Sequence, residues 1–108
     1  MVVSFKDFQQ LDIQIATVVE VNEHPDADNL YLLQVDLGEE KPRQLVAGLK
    51  KYYEPRQLQG SQIVVVTNLE PAEIRGEVSE GMLLAADAGE DVCLLIPDGE
   101  VPAGTPIR

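Results

Sequence analysis

Asn68-Leu-Glu-Pro-Ala-Glu-Ile-Arg75-Gly-Glu-Val-Ser-Glu-Gly-Met82-Leu-Leu-Ala-Ala86 is the stretch whose reading decides the fold. An apolar, β-branched run, Ile63 to Val66, enters it, and a second, Met82 to Ala86, follows Gly81. About a dozen mostly polar residues therefore stand between two buried-strand candidates. A connection of that length inside a compact chain is either functional or loose. Pro71, Gly76 and Gly81 restrict or bend its backbone, and Arg75 is its only cation. Those features predict a shaped loop that presents a side chain rather than a floppy linker.

Outward from that loop, the apolar period separates strands from connectors. Ser4, followed three residues later by Asp7, with Phe5, Phe8 and Leu11 at helical spacing, predicts a short capped helix with its aromatic side turned inward. From Leu11 the period becomes two. Leu11, Ile13, Ile15, Val19 and Val21 fall on one face, predicting a strand of roughly ten residues that curves through a small barrel. His24 to Asn29 is a turn by composition, Leu30 to Leu37 alternates again, and Arg43 to Ala47 is a third strand. From Gly48 the spacing fits a short helical connector broken by Pro55 and ended by Gly60. Gln62 to Thr67 and Met82 to Asp87 are the fourth and fifth strands, and Val92 to Ile96 is a sixth apolar segment. The tail from Val101 to Ile107 can pair only at an edge, because Pro102 and Pro106 lack donors. Five strands with a short helix between the third and fourth predict an all-β chain, an oligonucleotide-binding (OB) fold built as a Greek-key barrel.

The length of 108 residues gives one domain, 1–108, and one core. A single cysteine, Cys93, excludes an internal disulfide, and its place in Val92-Cys93-Leu94-Leu95-Ile96 predicts a small buried side chain. Met1 to Phe5 carries no charged leader, and no window is long enough to span a bilayer, so the chain reads as soluble and cytoplasmic, without membrane association. A net charge of -11 opposes general affinity for a polyanion. The charges are unevenly spread. Residues 41 to 75 hold six cations (Lys41, Arg43, Lys50, Lys51, Arg56 and Arg75) against three glutamates, while the rest holds two against sixteen acids. Concentrated in this way, the cations predict a local basic face on an acidic body.

Catalysis has little to stand on. His24 is the only histidine, and no hydroxyl or thiol is visibly paired with it. A calcium loop starting at Asp26 needs glycine and glutamate where Tyr31 and Leu37 stand. One cysteine and one histidine make no structural zinc site. The pattern therefore predicts no catalytic residue, no metal and no cofactor, and His24 reads as a satisfied turn histidine beside Pro25. Binding has more support. Single-stranded or looped nucleic acid is held by cations on its backbone and by flat or polarisable side chains against its bases. Arg43, Lys50, Lys51 and Arg75 can supply the first, and Tyr52, Tyr53 and Met82 the second, unless these three pack into the barrel instead.

Taken together, these residues resemble the tRNA-binding domain found at the C-terminus of many methionyl-tRNA synthetases, as a free-standing tRNA-binding protein, and in the endothelial monocyte-activating polypeptide family. The resemblance runs through Phe8, Leu11, Asp12 and Ile13, then His24, Pro25, Ala27, Asp28 and Leu30, and Gly48, Leu49, Lys51 and Tyr53. It continues through Asn68, Leu69, Pro71, Arg75, Gly76, Ser79, Gly81 and Met82 to Pro97, Asp98, Pro102 and Gly104. It implies a five-stranded OB barrel with short helices and a C-terminal extension, here 88–108, through which copies dimerise. It implies a non-catalytic module that grips tRNA by shape rather than sequence, acting in trans or appended to methionyl-tRNA synthetase. Lys51, Asn68, Arg75, Ser79 and Met82 are the tRNA contacts carried over by position. Asn29 and Glu73 stand where such domains usually carry basic residues, which implies fewer phosphate contacts. Two other readings remain open: a similar secretion-related chaperone dimer that holds unfolded polypeptide, and a docking module of a synthetase complex.

Overall fold

One long strand organises the molecule. β1 (Ile13–Glu23) pairs antiparallel with β4 (Gln62–Val66) through its first half and with β2 (Tyr31–Asp36) through its second. It serves both partners because its register shifts between Val18 and Glu20, a bulge that bends the strand and increases its twist. β3 (Arg43–Ala47) joins β2, and β7 (Met82–Leu83) joins β4, giving the order β3-β2-β1-β4-β7 in the computed structural model, which describes residues 1–108. The two end strands are brought together by the chain leading into β7. The Glu80 N–H donates to the Gln44 carbonyl at 2.8 Å, and the Val46 N–H donates to Ser79 Oγ at 3.0 Å. The result is the nearly closed five-stranded antiparallel barrel that the strand order predicts.

The bulge also corrects the predicted face of β1. Ala16 and Val18, not Ile15 and Val19, enter the core, and Val21 rejoins it beyond the bulge. Val19 is exposed at the kink. In β2 the burial alternates without interruption, so Tyr31, Leu33 and Val35 meet Leu45, Ile63 and Val65 inside the barrel. α2 (Pro55–Leu58) closes the lower mouth by inserting Leu58, which is 1% exposed. Pro55 opens this turn where its missing donor costs nothing, and the Glu54 N–H donates to Gln57 Oε1 at 2.7 Å.

Ile15, Val64 and Val66 are buried without belonging to that core, on the outer face of β1 and β4. The C-terminal extension runs along this side. After β8 (Ala85–Asp87) and β9 (Val92–Leu94) form a hairpin, the Leu95 carbonyl accepts from the Val64 N–H. The tail then lines the free edge of β1: Ile15 N–H donates to the Thr105 carbonyl (2.9 Å), and Gly104 N–H to the Ile15 carbonyl (2.7 Å). Pro106 sits opposite Gln14 where no donor is required of it. Gly104 adopts φ +88°, and a Cβ there would lie 2.2 Å from the Leu37 carbonyl oxygen. Only glycine allows the tail this approach.

Three further expectations change. α1 (Phe5–Phe8) is capped by Ser4, whose Oγ accepts from the Asp7 N–H at 3.0 Å, but Phe5 is 72% exposed and Phe8 and Leu11 also face outward. This end is anchored by polar groups instead, since Asn68 Oδ1 accepts from the Asp12 N–H and its Nδ2 donates to the Gln10 carbonyl. The predicted fifth strand is broken at Leu84, whose N–H turns to the Val64 carbonyl between β7 and β8. Cys93 lies exposed on β9, because Val92 and Leu94 take the inward positions of that short strand.

Candidate nucleic-acid interface

The polar stretch between β4 and β7 is itself a small hairpin, β5 (Ala72–Ile74) paired with β6 (Glu77–Ser79). Arg75 and Gly76 form its two-residue turn with φ of +53° and +87°, the left-handed pair that a tight hairpin requires. Gly76 accepts that conformation freely, whereas Arg75 does so at a cost of about 1–2 kcal/mol. Contacts at both ends hold the hairpin in place. At its base, Ser79 is buried and its hydroxyl donates to the Gly81 carbonyl while accepting from Val46, and Gln44 Nε2 donates to the Val78 carbonyl at 3.0 Å. At its tip, Arg75 Nη2 donates to the Asp26 carbonyl at 3.0 Å, and His24 Nε2 lies 3.3 Å from the Ile74 carbonyl oxygen.

Between this hairpin, Gly48 at the end of β3, and β7 lies an open groove of about 330 Å³. Its walls are mostly apolar, with Leu69, Ala72 and the half-exposed Met82 prominent among them and Glu70 at the rim. A flat or apolar group fits such a groove, and Met82 stands half-exposed on its wall rather than packed into the core.

The other predicted contact residues divide by what already holds them. Lys51 and Arg75 are exposed and have no carboxylate within ion-pair distance. Arg43 is occupied internally: Nε and Nη2 grip Glu39 at 2.9 Å each, and Nη1 donates to the Thr67 carbonyl at 2.6 Å. Hydrogen bonding to Glu39 outweighs partial burial and pushes this guanidinium above its ordinary pKa. Lys50 is paired with Glu23, and that hydrogen bond raises its ammonium in the same way. Asn68 and Ser79 have their polar atoms engaged in the scaffold beneath the face. Tyr53 packs against the core and its hydroxyl accepts from the Leu94 N–H, while Tyr52 stays exposed. The basic stretch is thus partly neutralised by Glu39 and Glu23, acids that lie outside it in sequence. His24 is the structurally important residue whose contact no local signal reveals, because its partner Ile74 is 50 residues away.

The apolar groove and the hairpin beside it, with Arg75 at the tip, can bind a ligand, whereas Lys51 lines a separate hollow with Tyr52, Tyr53, Glu90 and Asp91. No cluster of three or more histidine, cysteine or acidic side chains forms a metal centre.

Residues 13–106 match the family model described as a putative tRNA binding domain. The chain belongs to this family. Among its relatives, the methionine--tRNA ligase of Thermococcus kodakarensis is 58% identical over 106 residues, 98% of this chain, and that of Pyrococcus abyssi is 56% identical over all of it. The chain spans only 14% and 15% of the length of those two proteins. Two solved structures share its fold from end to end. A MetRS-related protein from Pyrococcus horikoshii superimposes with a TM-score of 0.91 at 27% identity, covering 100% of this chain and 99% of that one. The chaperone CsaA of Bacillus anthracis superimposes with a TM-score of 0.89 at 38% identity, covering 100% of both chains. In this tRNA binding domain, the hairpin carrying Arg75 and the groove beside it lie wholly within the matched residues.

Proposed function

We propose that the chain grips the body of tRNA by shape, with Arg75 and Lys51 on phosphates and Met82 against an exposed base. In this reading Arg43, Lys50, Asn68 and Ser79 contribute mainly by building the face that carries those contacts. The observation that supports it most directly is the hairpin pinned at both ends and tipped by an arginine that no carboxylate neutralises. The family match and the similarity to a segment of methionine--tRNA ligases make tRNA the polyanion of choice. The domain serves methionyl-tRNA synthetase, as part of the same polypeptide or in trans, in the cytoplasm. It works as a homodimer through residues 88–108, where Leu95 and Ile96 stay exposed and Ile107 lies beside the uncovered Phe5 and Phe8. Titrating tRNA at 50 and 200 mM salt tests the electrostatic part. Two or three phosphate contacts predict a loss of roughly 10- to 40-fold in affinity between them. Affinity that does not change with salt refutes it, and a monomer by sedimentation at micromolar concentration refutes the dimer.

A second reading has its own support in the end-to-end similarity to a chaperone and in the apolar groove, which also fits a side chain of an extended polypeptide. Binding of an unfolded polypeptide with no tRNA binding would favour it. Binding of neither, with retention of a synthetase, would favour a docking module.

A further inference from the structure

His24 begins a surface turn, yet it is only 5% exposed and both ring nitrogens are engaged. The Asp26 N–H donates to Nδ1 at 3.0 Å, and Nε2 faces the Ile74 carbonyl at 3.3 Å. An amide N–H can only donate and a carbonyl can only accept, so Nδ1 carries the lone pair and Nε2 the proton. The Asp26 peptide is gripped a second time, by Arg75 Nη2 on its carbonyl at 3.0 Å. The loop is closed behind it by the His24 N–H, which donates to the Leu30 carbonyl. Two segments 50 residues apart are thereby tied at the hairpin tip by one imidazole and one guanidinium.

We propose that His24 is a positioning residue for RNA binding: it latches the hairpin tip to the 24–30 loop and so fixes the direction in which Arg75 offers its remaining N–H groups. This rests on the tRNA-binding reading above. A guanidinium already held in direction loses less freedom when it meets a phosphate, and the left-handed backbone at Arg75 is held by the same contacts. With the base contacts of Ser79 and Gln44, the latch holds a three-residue strand pair that lies outside the main sheet.

The test uses the full 108-residue chain, bulk tRNA at low salt, and four variants: His24→Asn, His24→Gln, Arg75→Ala and the double variant His24→Asn/Arg75→Ala. An asparagine amide reaches the place of Nδ1 and can still accept from Asp26, but it stops short of Ile74. A glutamine amide reaches the place of Nε2 and can still donate to Ile74. The expected result is a loss of roughly 10-fold or more for Arg75→Ala, on the scale of one charge-assisted hydrogen bond. A similar loss follows for His24→Asn, substantial recovery for His24→Gln, and no further loss in the double variant. Amide hydrogen exchange over residues 72–79 rises in His24→Asn and stays near wild type in His24→Gln. If Arg75→Ala weakens binding while His24→Asn does not, the latch is refuted and the tRNA reading stands. Unchanged exchange over 72–79 in a folded His24→Asn chain, or equal losses for the asparagine and glutamine variants, also refutes the latch. If Arg75→Ala binds as the wild type does, the site reading fails and takes the proposed role of His24 with it, whatever the exchange shows.

Discussion

Replacing Gly104 with alanine strikes the point where the C-terminal tail crosses the end of β2. Two costs follow from the geometry. At φ +88° an alanine is strained by about 1–2 kcal/mol. Its Cβ also falls 2.2 Å from the Leu37 carbonyl oxygen, more than 1 Å inside an ordinary contact, so the tail must retreat. Retreat stretches the bonds that Gly104 and Thr105 make with Ile15, each worth about 0.5–1.5 kcal/mol net. It also uncovers part of Ile15, now 4% exposed. The combined loss is ~2 to 5 kcal/mol, a large share of the stability of a small domain. At roughly 4 °C or more per kcal/mol for a chain of this size, the melting temperature falls by on the order of 10 to 20 °C. Thermal unfolding followed by circular dichroism reads this directly. Gly99→Ala is the matched control, because its Cβ would meet nothing within 4 Å and its φ lies outside the left-handed region, so it should leave stability within about 1 kcal/mol of the wild type. A Gly104→Ala chain melting within about 2 °C of the wild type would falsify the account of the tail as a fixed strap.

Glu73→Lys turns an exposed acid on β5 into a cation next to the hairpin tip; tRNA affinity should rise and its salt slope steepen by about one phosphate contact. An unchanged slope would count against this hairpin as the RNA face. Asn68→Ala leaves the Asp12 N–H and the Gln10 carbonyl without their partner and should cost about 1–3 kcal/mol in urea unfolding, with a smaller effect on tRNA affinity than Arg75→Ala. A large affinity loss at unchanged stability would restore Asn68 as a direct contact. Because Glu23 raises the Lys50 pKa, the contribution of this pair to stability is present at neutral pH and is lost as strongly alkaline solution deprotonates the lysine. NMR titration should find the Lys50 midpoint falling toward that of a free lysine in Glu23→Gln, and no movement would refute the pairing.

The barrel was legible where burial follows a simple period. β2 alternates from Tyr31 to Asp36, β4 is an unbroken β-branched run, and Pro55 marks the start of the connector helix. The reading failed where tertiary contacts override the period. The bulge at Val19 reverses the facing of β1, which no residue type announces. Phe5 and Phe8 have helical spacing, but spacing states only that two side chains share a face, not what covers it. The β5–β6 hairpin hid inside a stretch rich in glutamate because three-residue strands carry too short an alternation to register. For the site, Arg75 and Lys51 could be singled out as cations, yet which cations stay free depends on partners set by strand register. Glu23, at the end of β1, reaches Lys50 across the barrel rim, and this proximity has no counterpart in the linear order.

The strapping of β1 by the tail also bears on how the chain is made. Ile13 and Ile15 leave the ribosome well before the residues that complete their backbone pairing, Gly104, Thr105 and Ile107. Until those residues emerge, one edge of the central strand offers unpaired amides beside apolar side chains, a template for pairing with another nascent chain. A polypeptide interrupted before Gly104 keeps that edge open. Cellular quality control would therefore meet such fragments as aggregation seeds even though most of the barrel had already been synthesised.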